Sequence, residues 1–412
     1  MNRAALAAAV LLSLLAAATR ARAGTEEFST FDVEAQELDD ESLLDHLLTR
    51  APAAWRDEWE RSPQAIRTSQ GCLTSGQWFI DTDLKLRAPL GGRAVFGLDM
   101  TERANDALSY DYIDFSFHFP TSWGTPGFMF RPTFDKSRQD VALLWDAGAD
   151  TSRWQVQVAF GIEDMFNNLW AFRQTRVGNE AEPYQRHPYE PALRLATRQS
   201  GWRAEVGGRW LTPSRKRVSG LGPGSPASLV TLWGARGWAE VEADAFGATW
   251  GARAANHQAR STQWPLDDST PDGRSFRRRW SAELTARRVL SPRLAVEARG
   301  LYQDRDQNAG APLGPNGFGA VDRLMTLETT WTLSPSFHAR VGGMFDRVSV
   351  AQSGTPRYAS YGTRNESRAY VGLSARFGNV SVSAVEGVEL DPEPYEVWGV
   401  HDKGFLHLQA TF

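Results

Sequence analysis

Asp114, Ser116 and His118 place an acid, a hydroxyl and an imidazole within five residues, the side-chain types of a nucleophile, its base and an orienting acid. Their spacing argues against that use. On a strand, side chains at i and i+2 share a face but stand ~6.6–7 Å apart along it. A hydrogen-bonded relay needs far closer contact, so the three read as polar wall positions. The remaining histidines, His46, His187, His257, His338, His401 and His407, form no H-x-x-H or H-x₃-H pair that would hold a metal. Asp267 to Gly273 is acidic enough for calcium but lacks the spacing of a calcium-binding loop and reads as a solvated turn. Gly220 to Gly224 contains Pro223 and precedes no helix, so it is no phosphate cradle. Cys72 is the one cysteine, which excludes an intramolecular disulfide, and reads as a small packed side chain. The expectation is a protein without catalytic residues, metal or cofactor.

The elements that carry these residues have a period of two. From Gly76 onward, alternating strands meet at short turns. The expected hairpins turn at Leu90-Gly91-Gly92, Thr121 to Gly124, Ala147 to Ser152, Gln199-Ser200-Gly201, Ala235-Arg236-Gly237, Leu290-Ser291-Pro292, Ser334-Pro335-Ser336 and Gly378-Asn379. A last strand ends the chain. Long polar connections fall on the other side of the sheet, at Asp164 to Tyr189, Thr212 to Pro226, Ala254 to Phe276, Arg305 to Val321 and Ala351 to Ser367. Short turns on one side and long loops on the other are the asymmetry of a membrane barrel. Sixteen Trp, 36 Gly and 21 Phe suit its girdles and turns. The mean hydropathy of −0.42 does not oppose this, because a transmembrane strand is half polar.

The strand faces separate by charge. Ile113, Phe115, Phe117 and Phe119 oppose Tyr112, Asp114, Ser116 and His118; Val241, Ala243 and Ala245 oppose Glu240, Glu242 and Asp244. In the strand from Phe337, Phe337, Ala339, Val341, Gly343 and Phe345 oppose His338, Arg340, Met344 and Asp346. A cation at mid-bilayer on a barrel's lipid face costs roughly 2–4 kcal/mol, so the charged rows are assigned to the interior. By the same logic Arg is expected to be harmful at Phe117 or Val341 and tolerated at Ser116 or Gly342. Trp123, Trp154, Trp202 and Trp238 lie in or after turns and are expected in an interfacial girdle. Seventeen strands are recognised; a barrel of 16 or 18 follows, with 16 slightly preferred.

The chain ends Phe405-Leu406-His407-Leu408-Gln409-Ala410-Thr411-Phe412, with Leu406, Leu408, Ala410 and Phe412 on one face. With this terminal strand the sequence resembles the Gram-negative outer-membrane β-barrel proteins, in which such a strand ending in Phe is the signal read by the barrel assembly machinery. The start of the chain agrees. Arg3, the apolar run Ala4 to Ala18 and Ala21-Arg22-Ala23 make a cleavable export signal over residues 1–23.

Residues 24–70 are expected to form a short helical extension, periplasmic or plugging the barrel. Its apolar stripe is Leu43, Leu44, Leu47 and Leu48, followed by Trp55 and Trp59. From Gly24 to Ser62 there are 12 acidic and 3 basic residues; Pro63 to Phe412 holds 37 and 39. The acidic lead is thus joined to a nearly neutral body, without the basic excess of a nucleic-acid binder.

The expected architecture is an all-β, transmembrane antiparallel barrel of 16–18 strands over residues 71–412, wide enough for an aqueous channel. Its expected pore lining is Asp81, Asp83, Lys85, Arg87, Asp99, Asp114, Arg203, Glu205, Arg209, Glu240, Glu242, Asp244, Glu297, Arg299, Glu328, Arg340, Asp346, Arg368 and Arg376. Asp164 to Arg173, with Met165, Phe166, Leu169, Trp170 and Phe172, is the constriction candidate, Asp164, Phe166, Trp170 and Arg173 being its marked residues. The resemblance to porins implies passive diffusion of small hydrophilic solutes through a barrel set in outer-membrane lipid. The alternative is a non-conducting barrel that scaffolds an export or electron-transfer partner, with the lead segment free to meet a periplasmic protein.

Overall fold

A computed structural model of the chain describes residues 59, 62–72, 78–105, 109–130, 139–148, 153–163, 184–186, 189–218, 228–265, 273–309, 316–353, 362–390 and 403–412. The strands are β1 (Gln64–Cys72), β2 (Trp78–Leu90), β3 (Ala94–Asn105), β4 (Ser109–His118), β5 (Thr125–Phe130), β6 (Gln139–Ala147), β7 (Trp154–Glu163), β8 (Tyr184–Arg186), β9 (Tyr189–Gln199) and β10 (Trp202–Val218). They continue as β11 (Ser228–Ala245), β12 (Ala248–Pro265), β13 (Gly273–Ser291), β14 (Leu294–Ala309), β15 (Asn316–Ser334), β16 (Phe337–Ser353), β17 (Gly362–Phe377), β18 (Val380–Glu389) and β19 (Lys403–Thr411).

All pairings are antiparallel and, β8 apart, each strand pairs with the next along the chain, β7 pairing with β9; β1 also pairs with β19, so the sheet closes on itself. The short β8 and the longer β9 both lie on β10 and occupy one wall position. Nineteen segments therefore make an 18-strand barrel. Closure leaves no unpaired edge, the condition for a sheet to cross hydrocarbon.

The eighteenth strand is β1, ahead of the first hairpin, so the slight preference for 16 was misplaced. Its pattern, Gln-Ala-Ile-Arg-Thr-Ser-Gln-Gly-Cys, carries too little apolar alternation to stand out. No helix is bounded among the described residues, and Gln64 to Gln70, placed in the helical extension by sequence, is strand. The export signal, the leucine stripe, the constriction candidate Asp164 to Arg173, and the Gly220 to Gly224 and Asp267 to Asp272 segments lie outside the described residues.

The fifth turn also moves. Ala235-Arg236-Gly237 lies inside the 18-residue β11, where Arg236 faces Arg209 and Gly237 faces Gly208. The chain reverses instead at Phe246-Gly247, both with positive φ, 55° and 72°. Two consecutive left-handed residues are the two-residue hairpin turn that matches strand twist. Asn or Gly is the usual first residue there, and Phe pays a steric penalty of about 1–2 kcal/mol. Phe246→Asn is expected to raise the denaturant midpoint; an unchanged or lower midpoint would mean that the exposed ring contributes more than the strain costs.

Strands β10 to β17 run 16–19 residues, well beyond the ~9–11 that span a bilayer. Their short turns align at one rim, with Gln64 and Phe412, so the surplus rises on the side of the longer connections. The connections expected at Ala254 to Phe276 and Arg305 to Val321 are largely strand.

Outside, the barrel is apolar. Leu143, Leu284, Met325, Leu327, Val371 and Leu373 are each more than half exposed on the outward face. Phe115 stacks on Phe130 and Phe117 on Phe128, with centroids 5.1 and 5.0 Å apart. At the long-loop side Arg260 lies over the Trp233 and Phe276 rings, and Trp280 meets Tyr302 edge-on. Trp154, Trp202, Trp250, Phe377 and Phe412 stand exposed near the short-turn rim. An outward face dominated by apolar side chains in this way is foreign to a water-soluble monomer and suits hydrocarbon between two aromatic girdles.

Candidate functional site: the inner wall

Inward side chains are fixed by register. Lys85 faces Asp99, which faces Asp114; Arg87 faces Gly97, which faces Ser116. Asp81, Asp83, Lys85, Arg87, Asp99 and Asp114 therefore share the inner face of β2 to β4. On β10 and β11, Arg203 faces Glu242, Glu205 faces Glu240, and Arg209 shares their face. Asp244 is on that face beside the turn, accepting from Thr249 Oγ1 at 2.7 Å. Glu297, Arg299, Glu328, Arg340, Asp346, Arg368 and Arg376 continue the inner face from β14 to β17.

Charges of both signs pair along this wall. Arg67 reaches Asp83 at 2.6 Å, Arg87 reaches Asp99 at 2.8 Å, and Arg194 reaches Glu205 at 2.7 Å. Arg203 bridges Glu242 at 2.9 Å and Glu240 at 3.7 Å. Glu283 lies between Arg299, at 3.2 Å, and Arg253, at 3.7 Å. Glu328 takes Arg340 at 3.6 Å and the Tyr370 hydroxyl at 2.9 Å. Removing one partner of an ion pair shielded from water strands the other charge at a high desolvation cost. These pairs both fix the wall and set its field.

Sequence assigned rows to the interior by their charges, with Met344 of β16 the one member of the band below among them. The structure adds an apolar band there. Leu301, Leu324, Met344, Tyr370, Val385 and Phe405 lie on six successive strands, β14 to β19, and form one buried cluster. A second inward patch joins Met129, Ala142 and Ala159 with Leu144 and Ala192. Alternation was not visible at these positions because an apolar residue on the inner face breaks the contrast on which a face assignment rests. Beside the first band Asp346 and Arg368 are only 1% exposed, and Asp114 is 0% exposed on the far wall. Several members of the expected pore lining are thus covered.

Trp238 is a correction of the same kind. It is inward and buried at mid-strand, and its indole N–H donates to Glu205 Oε1 at 3.1 Å. The turn assumed at Gly237 had placed it in the girdle. Gly342 is another: a Cβ there would meet the Tyr370 ring, so its inward face offers no room for arginine. Ser116 is likewise fully buried. His118 Nδ1 stands 4.0 Å from Asp146 Oδ2 across the sheet, not beside the same-strand Asp114.

Trp59 is the first described residue, ahead of β1. Its carbonyl accepts from Lys85 Nζ at 2.6 Å, and its ring lies 4.6 Å from the Arg67 guanidinium. Both partners are inward, so Trp59 sits on the lumen side of the wall.

No protein-family profile matches the chain, and a search of curated proteins finds no relative by sequence. Solved structures do match in outline. A bacterial polysaccharide outer membrane secretin aligns over 85% of this chain and 97% of its own, at 13% identity and a TM-score of 0.42. OmpT, an outer membrane protein of Vibrio cholerae, aligns over 85% and 96%, at 10% and 0.36. OccK11 (OpdR) of Pseudomonas aeruginosa aligns over 84% and 94%, at 13% and 0.38. At this level of likeness nothing about function passes from those proteins to this one. The architecture stands on its own geometry: a closed antiparallel barrel, apolar outside and charged inside, is an outer-membrane β-barrel protein.

Proposed function

We propose that the protein is a porin-like channel that passes small hydrophilic solutes passively across the outer membrane. The observation that supports this most is the division of the 18-strand wall, with an apolar belt outside and paired charges of both signs inside. A barrel of that strand number is wide enough for an aqueous lumen. Charged rings in a narrow passage sort solutes by size and sign. The lipid belt takes membrane lipid as its partner, and the terminal strand takes the assembly machinery. Liposomes carrying the full chain should swell in small neutral sugars at a rate that falls with sugar size. Swelling no faster than protein-free liposomes would count against the proposal.

The second reading, a non-conducting barrel that scaffolds a partner, draws support from the covered inner band and from Trp59. A lumen whose wall is apolar over six strands suits something seated in it better than water does. A periplasmic partner for the leading segment belongs to this reading. The two part on one variant. In a channel narrowed at its mouth, Trp59→Ala removes the ring between Arg67 and Lys85 and raises single-channel conductance, while Trp59→Phe, which keeps a ring over Arg67, leaves it near the parent value. No current from the parent or from either variant would favour the scaffold, and equal, non-zero conductance in all three would place Trp59 outside the conducting path.

A further inference from the structure

We propose that Arg323 and Arg347, side by side on the outward face of β15 and β16, bind the phosphate of an anionic lipid in the outer leaflet. The inference rests on the barrel and the facing of its strands, and stands whether or not the lumen conducts.

The two arginines are direct cross-strand partners, and both are exposed. Their row runs Tyr302, Arg323, Arg347, Asn365 across β14 to β17, so a phenol and an amide flank the pair. The acids next to them in the chain, Asp322 and Asp346, point the other way and are 2% and 1% exposed. Among the described residues, the outward positions of β15, β16 and β17 hold no Asp or Glu.

Height along the barrel identifies what meets them. Counted from the short-turn rim, ten residues separate Leu333 from Arg323 and Phe337 from Arg347. At ~3.3 Å per residue and a tilt of ~40°, that is about 25 Å along the axis, the height of a barrel's apolar band. The pair therefore stands at the far edge of the hydrocarbon, on the side of the long connections, which is the outer side in bacterial barrels. Two residues nearer the short turns, the same strands present Met325 and Phe345, 68% and 45% exposed. Leu327 follows, opposite Gly343, where an added Cβ would meet only the Arg368 carbonyl at 4.0 Å. An apolar floor with a shallow slot thus runs down from the two guanidiniums. Cations above such a floor match a molecule with a phosphate head and acyl chains.

Two other outward arginines near this height are already engaged. Arg278 reaches Asp304 at 3.4 Å and Asp306 at 3.9 Å. Arg260 lies over the Trp233 and Phe276 rings. Among the described residues no side chain pairs with Arg323 or Arg347. Like charges directly opposite on neighbouring strands are unfavourable, and a shared phosphate removes the repulsion. Strands lie ~4.8 Å apart, so two guanidinium forks can close on one phosphate, each with paired N–H donors.

The test is lipid retention by the full chain, folded in a non-ionic detergent and read by native mass spectrometry. The probes are diphosphoryl lipid A, the same lipid with both phosphates removed, and inorganic phosphate. The parent should retain diphosphoryl lipid A and release the phosphate-free form. Arg323→Gln/Arg347→Gln should weaken retention on the order of tenfold; both positions are exposed, and heat-modifiable migration shows that the variant is folded. Arg288→Gln/Arg293→Gln removes two exposed cations near the short-turn rim and should match the parent. Equal retention by the parent and Arg323→Gln/Arg347→Gln, or an equal loss in the short-turn variant, would overturn the site. Phosphate-free lipid held as tightly as diphosphoryl lipid A would overturn the role of the headgroup. Displacement of the lipid by an equal concentration of inorganic phosphate would overturn the lipid as occupant in favour of a free anion.

Discussion

Arginine at Leu327 or Val341 is expected to lower the unfolding free energy by about 2–4 kcal/mol in reversible denaturant unfolding from lipid, the cost of a cation near the midplane of a barrel's lipid face. Leu327 is 58% and Val341 46% exposed, and both point outward from β15 and β16. The matching inward substitution is Thr330→Arg. Thr330 already donates to Glu328 Oε1 at 3.3 Å, so a guanidinium there meets a carboxylate. Its cost should stay under about 1 kcal/mol. Comparable losses at all three positions would show that the inward and outward faces are wrongly assigned.

Removing Phe412 should lower the amount of protein in the outer membrane several-fold. The ring is 69% exposed at the short-turn rim, where an interfacial girdle would hold it. Its backbone N–H donates to the Gln64 carbonyl at 2.9 Å, across the seam between β19 and β1. Deletion takes away both the girdle aromatic and the last bond of the closure, at the end that resembles the assembly signal. Phe412→Tyr keeps ring and bond and should accumulate normally. Wild-type membrane levels of the truncated chain would contradict this role for the terminus.

Much of the wall was legible from alternation. The β4 face of Asp114 and Ser116 and the β11 face of Glu240, Glu242 and Asp244 were read correctly, because charge and apolarity alternate without interruption there. Where one face loses that contrast, reading failed. β1 has few apolar residues and was missed. In β11, Arg236-Gly237 imitates a turn, although Gly237 only packs opposite Gly208, and the true reversal at Phe246 has a residue that sequence rules disfavour. The inner apolar band was invisible for a stronger reason. Leu301, Leu324, Met344, Tyr370, Val385 and Phe405 are far apart in sequence and become neighbours only through register. The segment marked as the constriction, Asp164 to Arg173, lies outside the described residues, so its five apolar side chains remain a sequence expectation.

The central claim is a conducting barrel, and single-channel recording of the full chain in planar bilayers tests it most directly. The account predicts discrete current steps in symmetric KCl, with an open level that rises in Trp59→Ala. Protein that is folded and inserted, shown by heat-modifiable migration and protease protection, yet gives no steps at any applied voltage in parent or variant, would contradict it.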